Sequence, residues 1–88
     1  SGGVCSNIAS LYAGLGNIRQ AKFWWNKAIL ELNDGDAALD YAKFLINREN
    51  KRDYHKIIEL LNFAIKSDYI TEISKEEAGQ LLKNLEST

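Results

Sequence analysis

This sequence predicts an all-α fold of two helix pairs and a closing helix, on three observations. No proline occurs among its 88 residues, so nothing removes a backbone donor from a helical ladder. Apolar residues recur at steps of three and four, which gathers them on one face of a helix. One stretch of the chain also repeats another after a shift of 36 positions. A fixed period of roughly 20–50 residues is the mark of a solenoid built from stacked supersecondary units.

The first copy of the repeat runs from Asn17 to Leu30 and the second from Asp53 to Lys66. The shift pairs Ile18 with Tyr54, Ala21 with Ile57, Trp24 with Leu60, Trp25 with Leu61, Asn26 with Asn62, Ala28 with Ala64 and Ile29 with Ile65. Within the first copy, Ile18, Ala21, Trp25, Ala28 and Leu32 form one stripe. The alanines let a neighbouring helix approach while Trp25 and Leu61 fill the space beside them. Asn17 and Asp53 stand just before the stripes, where a short polar side chain accepts from the first free amides of a helix.

A weaker helical pattern precedes each copy. Cys5, Ile8, Ala9 and Tyr12 match Ala38, Tyr41, Ala42 and Leu45 at a shift of 33. Leu15-Gly16-Asn17 joins the first pair tightly, with Gly16 free to take a positive φ. The second pair has the longer polar loop 47–53, and Asn33-Asp34-Gly35-Asp36 supplies a turn and an N-cap between the pairs. Ser74-Lys75-Glu76-Glu77 has the form of a capping box ahead of a stripe at Ala78, Leu81, Leu82 and Leu85. The predicted helices are near 4–15, 17–32, 36–47, 53–67 and 74–86. Repeat one is then 4–33, repeat two 35–68 and the closing helix 74–86. Ser1-Gly2-Gly3, in a chain with no Met, reads as a tag or processing remnant of a piece of a longer protein.

The first unit resembles the tetratricopeptide (TPR) consensus: Ile8-Ala9, Tyr12, Gly16, Ala21, Trp25 and Ala28 fall where that family places its large–small pair, aromatic, glycine and packing alanines. Asn33 stands where the family's closing proline is usual. The second unit, with its longer loop, is more similar to the Sel1-like variant. So is the run from Ala21 to Ala28, with Trp24-Trp25, continuing into Gly35-Asp36-Ala37-Ala38-Leu39. The resemblance covers residues 5–66. It implies a right-handed α-α superhelix, and a scaffolding task in which a groove holds a peptide or a domain of another protein. The groove positions it implies are Ser10, Ala13 and Gly14 on the first helix, Leu39, Lys43 and Ile46 on the third, and Gly79 and Lys83 on the fifth. Relatives that hold acidic C-termini resemble one another in Lys, Asn and Arg at such positions. Here only Lys43 fits, so a carboxylate clamp is not expected.

Other function classes find little support. The net charge of −1 lacks the basic excess of a nucleic-acid surface, and no apolar run nears the roughly 20 residues of a membrane span. One cysteine makes no internal disulfide, which favours a reducing compartment such as the cytoplasm. Cys5 lies on an apolar stripe, far along the chain from His55, and a nucleophile needs an adjacent base. No phosphate loop or metal-ligand spacing occurs. The expectation is a non-catalytic chain without cofactor or metal.

Trp25 reads as packing because its repeat partner is Leu61, and Trp24 reads as lining the seam between units. Phe23 and Phe63 correspond to Glu59 and Lys27, so the repeat does not require them. They pack against neighbouring elements or meet a partner. Arg48, Lys51, Arg52, His55 and Lys56 form a basic cluster diluted by Glu49 and Asp53, either a solvated loop or a contact for an acidic partner. Val4, Ile8 and Leu11 would leave an apolar face open to self-association if no unit precedes them. Two alternatives to the interaction module stand beside it. One is a structural cap of a longer solenoid with no partner in trans; the other is a toxin-neutralising repeat protein of the immunity type.

Overall fold

The computed structural model describes residues 2–87. They form five α-helices: α1 (Gly2–Gly14), α2 (Ile18–Leu32), α3 (Gly35–Arg48), α4 (Tyr54–Lys66) and α5 (Glu72–Glu86), with a 3₁₀ turn at Lys51–Asp53 ahead of α4. Each helix packs on the next, and α3 touches all four others. The helices make a compact body of 32 × 29 × 18 Å. Its short dimension matches two layers of helix at the usual spacing of about 8–10 Å.

The middles of the stripes read from the sequence are buried, while their ends are not: Leu32 is 42% exposed and Tyr54, the repeat partner of Ile18, 44%. Ala9, Ala21, Ala28, Ala38, Ala42 and Ala64 are fully buried, and so are the large side chains Trp25, Leu45 and Leu61. Alanine at a helix crossing brings backbones together, and a few large residues then fill the remaining volume. Trp25 lies flat on Tyr41, with ring centroids 5.3 Å apart and planes 11° apart, and against Phe44 at 5.1 Å. These three rings join α2 to α3.

The helix ends follow local chemistry in four cases. Gly16 has φ +80°, and the amides of Gly16 and Asn17 bond back to the carbonyls of Ala13 and Tyr12 at 3.1 and 2.8 Å. That is the Schellman ending of a helix. Asn17 caps α2 by accepting from the Gln20 amide at 3.2 Å, and Asp34 caps α3 by accepting from the Ala37 amide at 3.0 Å. Asn33 closes α2 in the left-handed region with φ 52°.

Elsewhere the structure departs from the sequence expectation. α1 begins at Gly2 rather than near Val4, so the opening glycines are helical. Asp53 makes no side-chain cap; Asn50 accepts from the Arg52 amide and starts the 3₁₀ turn that leads into α4. α5 begins at Glu72, not Ser74, and its N-cap is Thr71, which accepts from the Ser74 amide at 3.3 Å. Thr71 is fixed there by a distant residue. Its amide and hydroxyl both donate to the Asp36 carboxylate, each at 3.1 Å.

Those bonds belong to a seam between two connections that are distant in sequence. The Gly35 amide donates to the Tyr69 carbonyl at 2.8 Å, and the Ser67 hydroxyl to the Asn33 carbonyl at 2.8 Å. Gly35 is buried, and a Cβ there would sit 2.8 Å from the Cβ atoms of both Ile70 and Ser67. Gly35→Ala is therefore expected to destabilise the fold by about 1–3 kcal/mol despite alanine's better helix propensity. Thermal melting by circular dichroism reads this. Glu49 gives the opposite case, since it closes α3 at φ 53° with a side chain that disfavours this region. Glu49→Gly is expected to raise stability by about 0.5–1 kcal/mol in the same melt, the relief of strain exceeding glycine's entropic cost.

Candidate functional site

On α3, Asp40, Lys43, Phe44 and Asn47 recur at helical spacing and so share one side of the helix. Across from them α1 presents Ser10 and Ala13. Together with Trp25 beneath, these residues line a cavity of about 280 Å³. Its apolar part is aromatic, from Trp25 and Phe44. Its polar part carries a hydroxyl, an amide, a carboxylate and an ammonium. Trp25 is 2% exposed, and its indole N–H is buried with no acceptor. A buried donor left unpaired is costly, typically about 1–3 kcal/mol.

Both charged residues of the cavity are held by neighbouring helices. The Ser6 hydroxyl on α1 donates to Asp40 Oδ2 at 2.7 Å. Asp40 is solvent-accessible as a residue, yet its carboxyl leans on α1. The partial burial pushes its pKa above the ordinary carboxylate value, while the Ser6 bond and the Lys43 charge pull it down. Lys43 Nζ pairs with Glu77 of α5 at 2.8 Å. The pair is well exposed, which limits it to about 0–1 kcal/mol. Its effect is positional, since it lays the ammonium toward α5.

The groove positions expected from the sequence do not all meet. Ser10, Ala13 and Lys43 come together at this cavity. Ile46 lines a second cavity of about 220 Å³ with Tyr54, Ile57 and Leu85. Gly14 lies at the exposed end of α1, and Gly79 and Lys83 lie on α5, where a Cβ on Gly79 would meet open space. Leu39 is 2% exposed and belongs to the core, so it offers no surface to a partner. Its place on α3 turns it inward along with Ala38 and Ala42. The sequence reading missed Asp40, Asn47, Phe44 and Trp25 as cavity residues. The signal for the first three was available: they lie three before, four after and one after Lys43 on one helix.

The other singled-out residues have settled surroundings. Trp24 is half-buried, its ring edge-on to the exposed Phe23 at 5.5 Å, and Phe63 packs on the core. Arg48 and Lys56 of the basic cluster lie over the Phe44 and Tyr41 rings at 5.6 and 5.7 Å, a distance at which a cation is attracted to the ring face. Cys5 is buried and free. No helix among the described residues is long and apolar enough to cross a membrane, and no group of three acidic, His or Cys side chains among them could hold a metal ion.

In comparisons with protein-family models, curated proteins and solved structures, nothing matches the chain.

Asp40 gives the site a pH signature. A carboxyl whose pKa is raised in the folded state favours folding when protonated, and that contribution is lost as pH rises through the folded pKa. At neutral pH the charge therefore opposes the fold. Asp40→Asn removes the charge and keeps an acceptor for Ser6. The variant is expected to melt at a higher temperature than the parent at pH 7, with the difference vanishing below about pH 3, where the free carboxyl is also protonated. A lower melting temperature at pH 7 would show that the Ser6 and Lys43 interactions outweigh desolvation.

Proposed function

We propose that the chain is a non-catalytic protein-interaction module of the tetratricopeptide or Sel1-like kind, a repeat segment of a scaffold or adaptor. In this reading α1–α2 and α3–α4 are successive turns of a right-handed superhelix, α5 closes the stack, and the side formed by α1, α3 and α5 receives a segment of another protein. The observation that carries it is the cavity of about 280 Å³ between α1 and α3. It combines an aromatic floor with four different polar groups, the mixture by which a pocket orients a side chain it also desolvates.

The contacts between first helices support the same reading. Ser6–Asp40 links α1 to α3, and Lys43–Glu77 links α3 to α5. Both tie together helices that a stack of pairs places side by side. The two-unit correspondence in the sequence adds the remaining support, since each buried alanine of the first unit has a small or apolar counterpart in the second.

The reading is tested by selecting binders from a random peptide-display library on the immobilised chain. Ser10 is exposed, so Ser10→Phe closes the cavity mouth without touching the core. The selected peptides are expected to share a motif, and to bind Ser10→Phe at least tenfold more weakly while its melting temperature stays within about 2 °C of the parent. Equal binding by both proteins, or no shared motif, leaves the closing-element reading, in which the stack stabilises other parts of a longer protein and holds nothing in trans.

A further inference from the structure

The two ends of the helical stack differ in chemistry. At the α1 end, Val4, Leu11 and Leu15 are 56, 69 and 78% exposed, with Ile8 half-buried between them. Their spacing of four, three and four residues is the a/d seam that pairs one helix with another. No charged side chain occurs before Arg19, although the chain carries 11 basic and 12 acidic residues. At the other end α5 turns Lys75, Glu76, Lys83 and Glu86 to solvent, with Ile73 as its one large exposed apolar residue. A charged outer face ends a helical stack; an apolar one does not.

The chain itself shows what the α1 seam is built to meet. At the shift of 33, Val4 corresponds to Ala37, Ile8 to Tyr41 and Leu11 to Phe44. On α3 these positions are covered: Ala37 is 0% and Tyr41 4% exposed, and Tyr41 and Phe44 lie on Trp25. Val4, Ile8 and Leu11 are thus the equivalents of residues in the seam between α2 and α3, whereas Leu15 corresponds to the exposed Arg48. An apolar face of another helix would cover them in the same way.

We propose that this face pairs with the same face of a second copy, α1 against α1 about a two-fold axis, into a closed dimer. Charge selects the partner. A surface without charged side chains neither repels its own image nor recruits a partner of either sign, whereas the charged α5 end cannot seat on it without desolvating its ions. Head-to-tail growth through the α5 end is thereby disfavoured, and a two-fold pairing closes at two. Only one helix face per copy is involved, so the total buried area is on the order of 1,000 Å², the lower limit for a specific interface. The dimer is accordingly weak, with a dissociation constant on the order of 10–100 μM.

Sedimentation velocity of the whole chain from about 5 to 500 μM tests this, the range bracketing that constant. A monomer–dimer equilibrium with nothing larger is expected. Leu11→Glu and, separately, Leu15→Glu should each hold the chain monomeric through the range, with circular dichroism unchanged because both side chains are already exposed. Ile73→Glu, at the far end, should leave the dimer intact. A parent chain that stays monomeric at 500 μM overturns the proposal and assigns the seam to some other helix. It is equally overturned if the glutamate variants still associate, if species larger than a dimer form, or if Ile73→Glu abolishes pairing. None of these outcomes bears on the cavity between α1 and α3, which lies on other residues.

Discussion

Trp25 of α2 lies between the two helix pairs, parallel to Tyr41 and tilted against Phe44, and the arrangement of the chain depends on that contact. An aromatic side chain buries about 150–250 Å², more than any other single group at this junction. The stack also sets what surrounds it. Ala21 and Ala28, one turn before and one after on α2, are fully buried, because bulk at Trp25 leaves room for nothing larger beside it. On the other side of the rings, Arg48 and Lys56 lie over Phe44 and Tyr41. The basic cluster is therefore partly a cover for the aromatic seam, its alkyl stems shielding rings from water. Lys56 also meets Glu59 at 3.3 Å, while Arg48, Lys51 and Arg52 stay exposed.

A second constraint acts at the edge of the stack. The turn between α2 and α3 and the connection between α4 and α5 are bound together through Gly35, Asp36, Ser67, Tyr69 and Thr71. Each bond in this seam is modest, with a net worth of about 0.5–1.5 kcal/mol. Their geometric effect is larger, because they decide where α5 starts. Asp36 holds Thr71 in the extended conformation from which it caps α5. α5 is thus positioned by the turn between α2 and α3, more than 30 residues upstream, as well as by its packing on α4.

The pattern of what could be read from the sequence follows from that distinction. Helix periodicity is local, so all five helices and the buried middles of their stripes were legible. So were the endings at Gly16, Asn17 and Asp34, whose bonds span only a few residues. Ser74 has the form of a cap, yet Thr71 does the capping because a distant carboxylate fixes it. Asp53 likewise lost its role to Asn50 once the longer loop wound into a 3₁₀ turn. Glu49 could not have been foreseen as a left-handed residue, since nothing in its own chemistry favours that conformation. Leu39 was misplaced for a rotational reason: it borders Ala38 on the inner face of α3, and a small error in helix phase exchanges inner and outer positions.

The candidate site was only partly legible, and comparison of the two units explains why. Core positions persist under the shift of 33: Ala9 and Ala42 are both fully buried, and Cys5 and Ala38 are both small and buried. Outward positions do not. Asn7 becomes Asp40, Ser10 becomes Lys43 and Ala13 becomes Ile46, each a change of charge or bulk at one register. The correspondence between the two stretches of sequence is carried by the packing positions they share. The cavity between α1 and α3 is made from what they do not share, a neutral helix facing a charged one. Its chemistry is therefore a property of the junction, and appears only when two dissimilar faces are brought together by the rings that Trp25 anchors.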